Sequence, residues 1–219
     1  MSGHQGHGSV ATPHGILITW ATITEGGFQV NTSGERFSDE SHGYSEQGAV
    51  VLAEADGIAW TIFDARIAAI ARQFEDFRNA EAQGAIMTAN DVSSLAVKIG
   101  VSSEALAKTF ATVSALRGAG AVDTFGRNWA NMKELTPPFH AVKVTGALFH
   151  TQGGLSVASD TRVVTQDGSV LPNLYAAGGA AVGVSGPDAS GYLSGNGLLT
   201  AVGLGFVAGK AAASMKPLA

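Results

Sequence analysis

The sequence predicts an α+β protein of two units, and three observations support this fold class. Residues 15–136 mix β-like runs with helical patterns, the pair Pro137–Pro138 interrupts the chain, and residues 137–219 hold mostly strand patterns before one final helix. Proline lacks a backbone donor and disfavours helix in the residue before it, so the pair marks a boundary. With 45% hydrophobic and only 14% charged residues, the chain can bury a core.

The chain is predicted to begin with a flexible leader over residues 1–14, which are rich in Gly, Ser and His. Its histidines lack the fixed geometry and the supporting shell that a metal site needs, so we predict no metal. Between Ile16 and Phe37, two β-like runs, ILITW and GFQVN, occur with a turn signal at Asn31–Gly34. This pattern predicts a hairpin.

The remainder of the first unit alternates helical and strand patterns. Hydrophobic periodicity predicts a helix, a strand and an amphipathic helix, in the order Ser45–Glu54, Ile58–Asp64 and Ala65–Ala82. Thr88 and Asp91 have the spacing of a capping box before the next helix. Ser102 is predicted to cap the helix after that one.

The second unit is predicted to consist of strands followed by one helix. Three runs have strand character and precede VLPNLYAAG: FHAVKVTGALF, LSVAS and TRVVT. Turns are predicted at Gly153–Gly154 and at Asp167–Gly168. The final helix is predicted from Asn196 to about Ser214, and its small residues permit close packing on a sheet.

Composition and charge argue against several classes of function. The net charge is −5 and the Lys and Arg residues are thinly spread, which argues against a nucleic-acid surface. The lack of cysteine removes disulfides, thiolate metal sites, iron–sulfur ligation and a cysteine nucleophile. No apolar run approaches the roughly 20 residues of a membrane helix, and the N-terminus lacks a signal-peptide core. We therefore predict a cytoplasmic protein without a membrane span.

The most informative stretch runs from Asn173 to Lys210, where a strand, a glycine-rich crossing and a small-residue helix follow one another. Glycine lets backbone amides approach a ligand because no Cβ intervenes. The helix that opens near Gly195–Gly197 directs free N–H groups and a partial positive charge at such a ligand. This pattern predicts a bound cofactor with an electron-rich or anionic ring edge.

Three segments in order carry a resemblance to a known family: FQVNTSGERFSDE at 28–40, FHTQGGLSV at 149–157, and the span from NLYAAGGAAVGVSG to GYLSGNGLLTAVGLGFVAG. Together they resemble the FAD-dependent flavoproteins of the fumarate reductase and succinate dehydrogenase family, which includes tricarballylate and ketosteroid dehydrogenases. The resemblance covers residues 15–213, and it implies FAD as the cofactor.

The resemblance also implies a division of the chain. Residues 15–136 would be the capping domain that closes over the substrate, and residues 137–219 would be the C-terminal strands and helix of a Rossmann-like FAD-binding domain. The family opens with a Rossmann βαβ unit, and its G-x-G-x-x-G fingerprint does not stand near this N-terminus. We therefore interpret the chain as the C-terminal portion of a larger flavoprotein, and expect a missing N-terminal segment or a partner chain.

The resemblance implies three groups of cofactor contacts: His150, Thr151, Gly153 and Gly154 along the flavin ring, Gly178 and Gly179 near the ribityl chain, and Ser194, Gly195, Asn196, Gly197 and Leu198 at the pyrimidine edge. The helix N-terminus in the last group would stabilise negative charge on a reduced flavin. Gly179 stands where the family often has Glu, so binding would depend more on backbone amides.

Two tyrosines are implied to carry the chemistry. Fumarate reductases have arginines at the positions of Tyr44 and Tyr192, and their substrate-binding histidine corresponds to Phe149. A phenol lacks the charge and fork geometry of arginine, so fumarate and succinate are disfavoured as substrates. As in ketosteroid dehydrogenases, Tyr44 would be the general base or acid and Tyr192 a hydrogen-bond donor to a carbonyl, while the flavin exchanges hydride.

The leading hypothesis is therefore part of an FAD oxidoreductase that desaturates or reduces a carbon–carbon bond beside a carbonyl of a small-molecule substrate. The alternative is a non-catalytic fragment or split subunit that acts as a binding module with a partner chain. Arg36 and Glu40, close to Tyr44 in the sequence, are interpreted either as a structural ion pair or as a proton relay, with His42 as a further relay candidate.

Overall fold

The structure, a computed structural model, describes residues 4–185, 189, 192–193 and 195–215. The chain forms two compact units. The larger unit is Gly6–Ala147, and the smaller unit takes in Leu148–Ala219 together with Met1–Gln5. Helices and strands are mixed along the chain, which confirms the coarse fold class predicted from the sequence.

A six-stranded sheet forms the centre of the larger unit. Its strands are β1 (His4–Ala11), β2 (Ile16–Leu17), β3 (Phe28–Val30), β4 (Ile58–Asp64), β5 (Ile86–Ala89) and β6 (Phe139–Thr151). The order is β2-β1-β6-β4-β3, and β5 also pairs with β6. Strand β4, which coincides with its predicted range, is buried from its second residue onward because β3 and β6 flank it.

Residues 4–11 belong to this sheet as strand β1, which corrects the flexible leader predicted for residues 1–14 over that range. Strand β1 pairs antiparallel with β2, so the run ILITW does not pair with GFQVN. The hairpin predicted between Ile16 and Phe37 is therefore wrong, and β3 pairs with β4 instead. The turn at Asn31–Gly34 is confirmed, since its last amide donates to its first carbonyl at 3.0 Å.

Six helices lie in the larger unit: α1 (Ala21–Thr24), α2 (Tyr44–Ala53), α3 (Ala65–Ala71), α4 (Glu75–Ala82), α5 (Val92–Ile99) and α6 (Ser103–Ala119). Helix α2 confirms the helix predicted from Ser45. The single amphipathic helix predicted for Ala65–Ala82 is two helices. Glu75 and Asp76 favour a new helix N-terminus at α4, where negative charge is stabilising.

The two predicted helix caps have different outcomes. Ser102 caps α6 as predicted, because its hydroxyl accepts a hydrogen bond from the Ala105 amide at 3.2 Å. The capping box is wrong: Asp91 itself caps α5 by accepting from the Ser94 amide at 2.7 Å. Thr88 lies in strand β5, where sheet pairing takes precedence over the local capping pattern.

Large aromatic side chains fill the core of the larger unit. Phe28, Phe63, Phe77 and Trp129 have no exposed surface. The rings of Phe63 and Phe77 meet edge to face with their centroids 5.8 Å apart. Burial of an apolar side chain of this size contributes roughly 1.5–3 kcal/mol, so this core can fix the loops that surround it.

The predicted and observed boundaries of the second unit differ. The pair Pro137–Pro138 directly precedes β6, and the division between the two compact units falls between residues 147 and 148. The predicted boundary lies between residues 136 and 137. The proline pair thus marks the entry into a sheet strand, and the capping and cofactor roles of the two predicted domains stay predictions.

The smaller unit contains a two-stranded sheet and one long helix: β7 (Arg162–Val164), β8 (Val170–Tyr175) and α7 (Asn196–Ala213). The predicted turn at Asp167–Gly168 joins β7 to β8, and α7 confirms the predicted final helix. The run LSVAS forms isolated bridges from Leu155 and Val157 in place of a regular strand.

Helix α7 is the one helix in the described part of the chain that is long and apolar enough to cross a membrane. Only 11% of its candidate span is buried inside the structure. The sequence predicts no membrane span, and a single helix that passes a test of length and composition is weak evidence for one.

Candidate functional site

Tyr44, the first predicted catalytic residue, is the first residue of α2. A 3-10 turn from Glu40 to His42 precedes it, and Gly43 between them has a φ of 129°, a conformation that favours glycine. The Tyr44 side chain is half-buried. The phenol therefore sits at the junction of a turn and a helix, with part of its surface open to a ligand.

Two aromatic side chains of the larger unit contact the Tyr44 ring. His7 stacks on it with centroids 4.6 Å apart and planes inclined by 14°. Trp20 meets the Tyr44 ring edge-on, with the two ring centroids 6.1 Å apart. The sequence placed His7 in the flexible leader and offered Trp20 no role at the site. The one signal that could have revealed His7 is the glycine on each side of it, which allows a close backbone approach.

A buried ion network stands directly before Tyr44. Glu40 Oε2 accepts from Arg36 Nη2 at 2.7 Å and from Arg127 Nη1 at 2.9 Å. Arg36 also pairs with Asp123, which accepts from Trp129 Nε1 at 2.9 Å. None of the four charged side chains is more than 7% exposed. The ion pair of Arg36 and Glu40, one of the two sequence interpretations, is therefore present.

Charge and hydrogen bonding favour the charged forms of Asp123 and Arg36 in this network. Burial by itself would raise the pKa of Asp123, but hydrogen bonds from Trp129 and Arg36 outweigh burial and hold that pKa below its ordinary value. Burial by itself would lower the pKa of Arg36, but the charge and hydrogen bonds of Glu40 and Asp123 outweigh it and raise that pKa. The side chain of His42, the other relay candidate, is 72% exposed. Its Nε2 lies 3.5 Å from Asp39 Oδ2.

The smaller unit brings its predicted glycine segments together. A Cβ on Gly154 would lie 2.4 Å from the carbonyl carbon of Ala181, so the two backbones are in direct contact. Hydrogen bonds join the same segments, with the Leu155 amide donating to Ala180 at 2.8 Å. A Cβ on Gly178 would lie 3.2 Å from that of Ala201 in α7. The segments that contain Gly154 and Gly178 thus connect to the helix that begins at Asn196.

The start of α7 has features of a ligand site. Gly195 supplies no side chain to cap the helix, whose first N–H groups have no carbonyl partner within it. Asn196 is buried, and its Oδ1 has no hydrogen-bond partner among the described residues. Gly197 has open space around it, and Leu198 is 76% exposed. Ser194, the remaining member of this predicted group, lies outside the described residues.

The other predicted residues of the smaller unit are placed individually. Thr151 ends β6 and is exposed, and the side chain of His150 before it lies outside the described part of the structure. Gly153 follows in the loop. Gly179 is exposed, and a Cβ at this position would have no atom within 4 Å. Tyr192, the second predicted catalytic residue, is half-buried in the loop before α7.

These residues fit the predicted FAD. Open glycines, a helix N-terminus and an orphaned buried acceptor are what a cofactor with a polar ring edge would use. Asn196 Oδ1 can accept from a ligand N–H, and the amides of the first turn of α7 can donate to an anionic edge. The geometry of the smaller unit is therefore compatible with a cofactor that spans from the 178–180 turn to α7.

A family model described as an FAD binding domain matches residues 6–198. The NADH:acrylate oxidoreductase of Vibrio harveyi is 31% identical over 204 residues, which are 92% of this chain and 20% of that protein. The fumarate reductase (cytochrome) of Shewanella frigidimarina is 27% identical over 209 residues, which are 95% of this chain and 36% of that protein. The chain thus spans between a fifth and just over a third of these relatives.

A solved structure also shows similarity to a fumarate reductase. The open conformation of a flavocytochrome c3 fumarate reductase superimposes with a TM-score of 0.72 and 29% sequence identity. The match covers 96% of this chain and 36% of that one. Both units of the chain therefore have counterparts within a longer flavoprotein.

Proposed function

This chain belongs to the FAD binding domain family, and from that premise we propose that it is part of a flavin-dependent oxidoreductase. The resemblance predicted from the sequence is confirmed by that family match, and FAD is the cofactor. The proposed reaction desaturates or reduces a carbon–carbon bond next to a carbonyl, with hydride passing to or from FAD.

The observation that carries the proposal is the convergence of the glycine segments on α7 in the smaller unit. Gly154 contacts Ala181 through the backbone, and Gly178 contacts Ala201. The buried, unpartnered Asn196 Oδ1 stands at the start of the same helix. These are the segments that the resemblance assigns to the flavin, which supports their role as its binding surface.

We assign the cofactor contacts as the resemblance implies them. Thr151, Gly153 and Gly154 would lie along the flavin ring together with His150, and Gly178 and Gly179 near the ribityl chain. The residues from Ser194 to Leu198 would hold the pyrimidine edge, where first-turn amides stabilise negative charge. When bound, FAD supplies the hydride exchange.

Tyrosine at both catalytic positions favours a carbonyl-containing substrate over a dicarboxylate. In the reduction the Tyr44 phenol would give a proton to the carbon beside the carbonyl, and in the desaturation the Tyr44 phenolate would take the proton from that carbon. The Tyr192 hydroxyl would donate a hydrogen bond to the carbonyl oxygen and so stabilise negative charge there.

Flavin retention tests the proposed function most directly. We expect the purified chain, alone or combined with the remaining part of a flavoprotein of this family, to bind FAD and to show the visible absorbance of protein-bound flavin. The spectrum of the protein after removal of free FAD by gel filtration is the measurement. A colourless protein in both preparations would contradict the flavoenzyme proposal.

Substitution Gly154→Ala is expected to weaken FAD binding by about fivefold to 150-fold. Its Cβ would meet the Ala181 backbone at 2.4 Å, and overpacking of this kind costs about 1–3 kcal/mol. A fluorescence titration with FAD measures the dissociation constant. Gly203→Ala is the matched control, because a Cβ there meets open space and should leave affinity unchanged. Equal affinity of the two variants would exclude the Gly154 segment from the binding surface.

A second candidate function is a non-catalytic binding module, and the surface of α7 favours it. Leu199, Val202 and Phe206 on this helix are 68%, 73% and 72% exposed. Exposed apolar patches of this kind mark surfaces that another element covers. A further segment of the same flavoprotein or a partner chain would cover this one. Absence of flavin in every pairing, with stable association to such a partner, would support the module.

A further inference from the structure

Strand β1 and helix α2 approach each other at backbone distance. A Cβ on Gly8 would lie 2.6 Å from the carbonyl carbon of Gln47, and a Cβ on Gly48 would lie 3.3 Å from the His7 amide nitrogen. Real side chains do not tolerate the first distance, so glycine is required at Gly8. Glycine on both elements therefore places the backbone of His7 directly over the first turns of α2.

The contact between these elements is also fixed by polar groups. Gln29 Nε2 donates to the Gly8 carbonyl at 2.9 Å, and Gln29 Oε1 accepts from Gln47 Nε2 at 2.8 Å. Gln29 is fully buried, and Gln47 is 2% exposed. A buried amide bridge of this kind is costly to break, because each orphaned group would lose its partner without gaining water. The Gln29 side chain thus bridges β1 and α2 through hydrogen bonds to both elements.

In this position, the His7 ring stacks on the Tyr44 ring. His7 is 6% exposed, its ring lies nearly parallel to the Tyr44 ring, and it meets Trp20 edge-on with ring centroids 5.6 Å apart. Its Nδ1 accepts from the Ser9 amide at 3.2 Å, which orients the imidazole. Burial lowers the pKa of His7 to about 4, so the ring is neutral in the neutral pH range and does not supply a positive charge to Tyr44.

We propose that His7 is a positioning residue that holds the Tyr44 phenol ring at a fixed angle by stacking against it. This inference rests on the proposed function, in which the Tyr44 hydroxyl transfers a proton. Proton transfer requires the hydroxyl to lie within hydrogen-bond reach of the reacting carbon's proton, and displacement by about 1 Å can cost a hundredfold in rate. A flat ring at residue 7 would meet this need, and the charge or basicity of histidine would not be required.

Three variants separate the flat ring from other properties of His7. His7→Phe keeps an aromatic plane, His7→Leu keeps apolar volume without a plane, and His7→Ala removes both. The chain has only three tyrosines and three tryptophans, so their ring signals can be assigned in a labelled sample of the full chain. Nuclear Overhauser contacts between the Tyr44 and Trp20 rings report the ring position, and the buried Trp129 indole N–H reports the fold.

The expected result is that His7→Phe keeps the contacts between Tyr44 and Trp20, whereas His7→Leu and His7→Ala lose them while the Trp129 signal is unchanged. Persistence of the contacts in His7→Leu would overturn the proposal. Loss of the Trp129 signal in both non-aromatic variants would also overturn it, because His7 would then be a core residue. These results do not depend on flavin or on turnover.

Kinetics of the flavin-loaded protein give the second readout. His7→Leu is expected to lower kcat by about tenfold to a hundredfold with little change in KM, because only the proton-transferring group moves. His7→Phe should restore most of this loss. Equal losses in the two variants would overturn the stacking role. A protein without flavin or turnover would contradict the proposed function alone, and the ring contacts would then decide whether His7 positions Tyr44.

Discussion

Tyr44→Phe is expected to lower kcat of the flavin-loaded protein by about 10²–10⁴-fold, the usual contribution of a general acid or base. The substitution removes one hydroxyl and leaves a ring that can keep its contacts with His7 and Trp20. KM should therefore change little. The measurement is steady-state oxidation or reduction of a cyclic ketone substrate beside its carbonyl, with an artificial electron acceptor or donor.

The chain offers a matched control for this loss. Tyr175 in β8 also carries a phenol, whose hydroxyl contacts Met215 Sδ at 3.0 Å, and the proposal gives it no role. Tyr175→Phe should therefore retain full kcat. A Tyr44→Phe enzyme as active as the Tyr175→Phe enzyme would remove Tyr44 from the mechanism, and a rise in KM alone would assign it to binding.

Local sequence patterns were sufficient where an element depends on its own residues. The strand Ile58–Asp64 is a continuous apolar run, and it lies between two other strands. Ser102 caps its helix through a hydroxyl that reaches an amide three residues away. The helix that begins at Asn196 follows from its composition. Each of these signals is contained within a few residues, so no knowledge of distant partners is needed.

The same patterns failed where distant partners decide the structure. Residues 4–11 are rich in Gly, Ser and His, which predicts a flexible leader, but strand pairing and the close contact with α2 fix them in the sheet. Thr88 has the spacing of a cap and instead belongs to β5. Intrinsic propensity is a weak prior that tertiary contacts override.

In the candidate site, too, local motifs could be predicted from the sequence, whereas contacts between distant residues could not. The glycine segments and the two tyrosines follow from the resemblance, because those motifs are contiguous in the sequence. His7 and Trp20 lie far from Tyr44 along the chain and share no motif with it, so only the fold reveals that their rings meet. Arg127 likewise joins Glu40 across 87 positions, which no local pattern predicts.

Glu40→Gln is expected to destabilise the larger unit by about 3–5 kcal/mol, the usual cost of removing one partner from a buried ion pair. Glu40 Oε2 accepts from two guanidinium groups, and Glu40 Oε1 accepts from the backbone N–H of Gln29 at 2.8 Å. A neutral amide leaves Arg36 and Arg127 with excess buried positive charge. Urea unfolding of the full chain, followed by tryptophan fluorescence, measures the change in unfolding free energy.

An exposed ion pair provides the control for this prediction. Glu81 pairs with Arg72 at 2.8 Å, and the two side chains are 28% and 45% exposed. Glu81→Gln should cost no more than about 1 kcal/mol, because solvent screens surface pairs. If Glu40→Gln proved as mild as Glu81→Gln and lowered kcat instead, the structural role would be contradicted and the proton-relay interpretation of Glu40 would be favoured. A large loss of stability would identify Glu40 as the residue that fixes the turn before Tyr44.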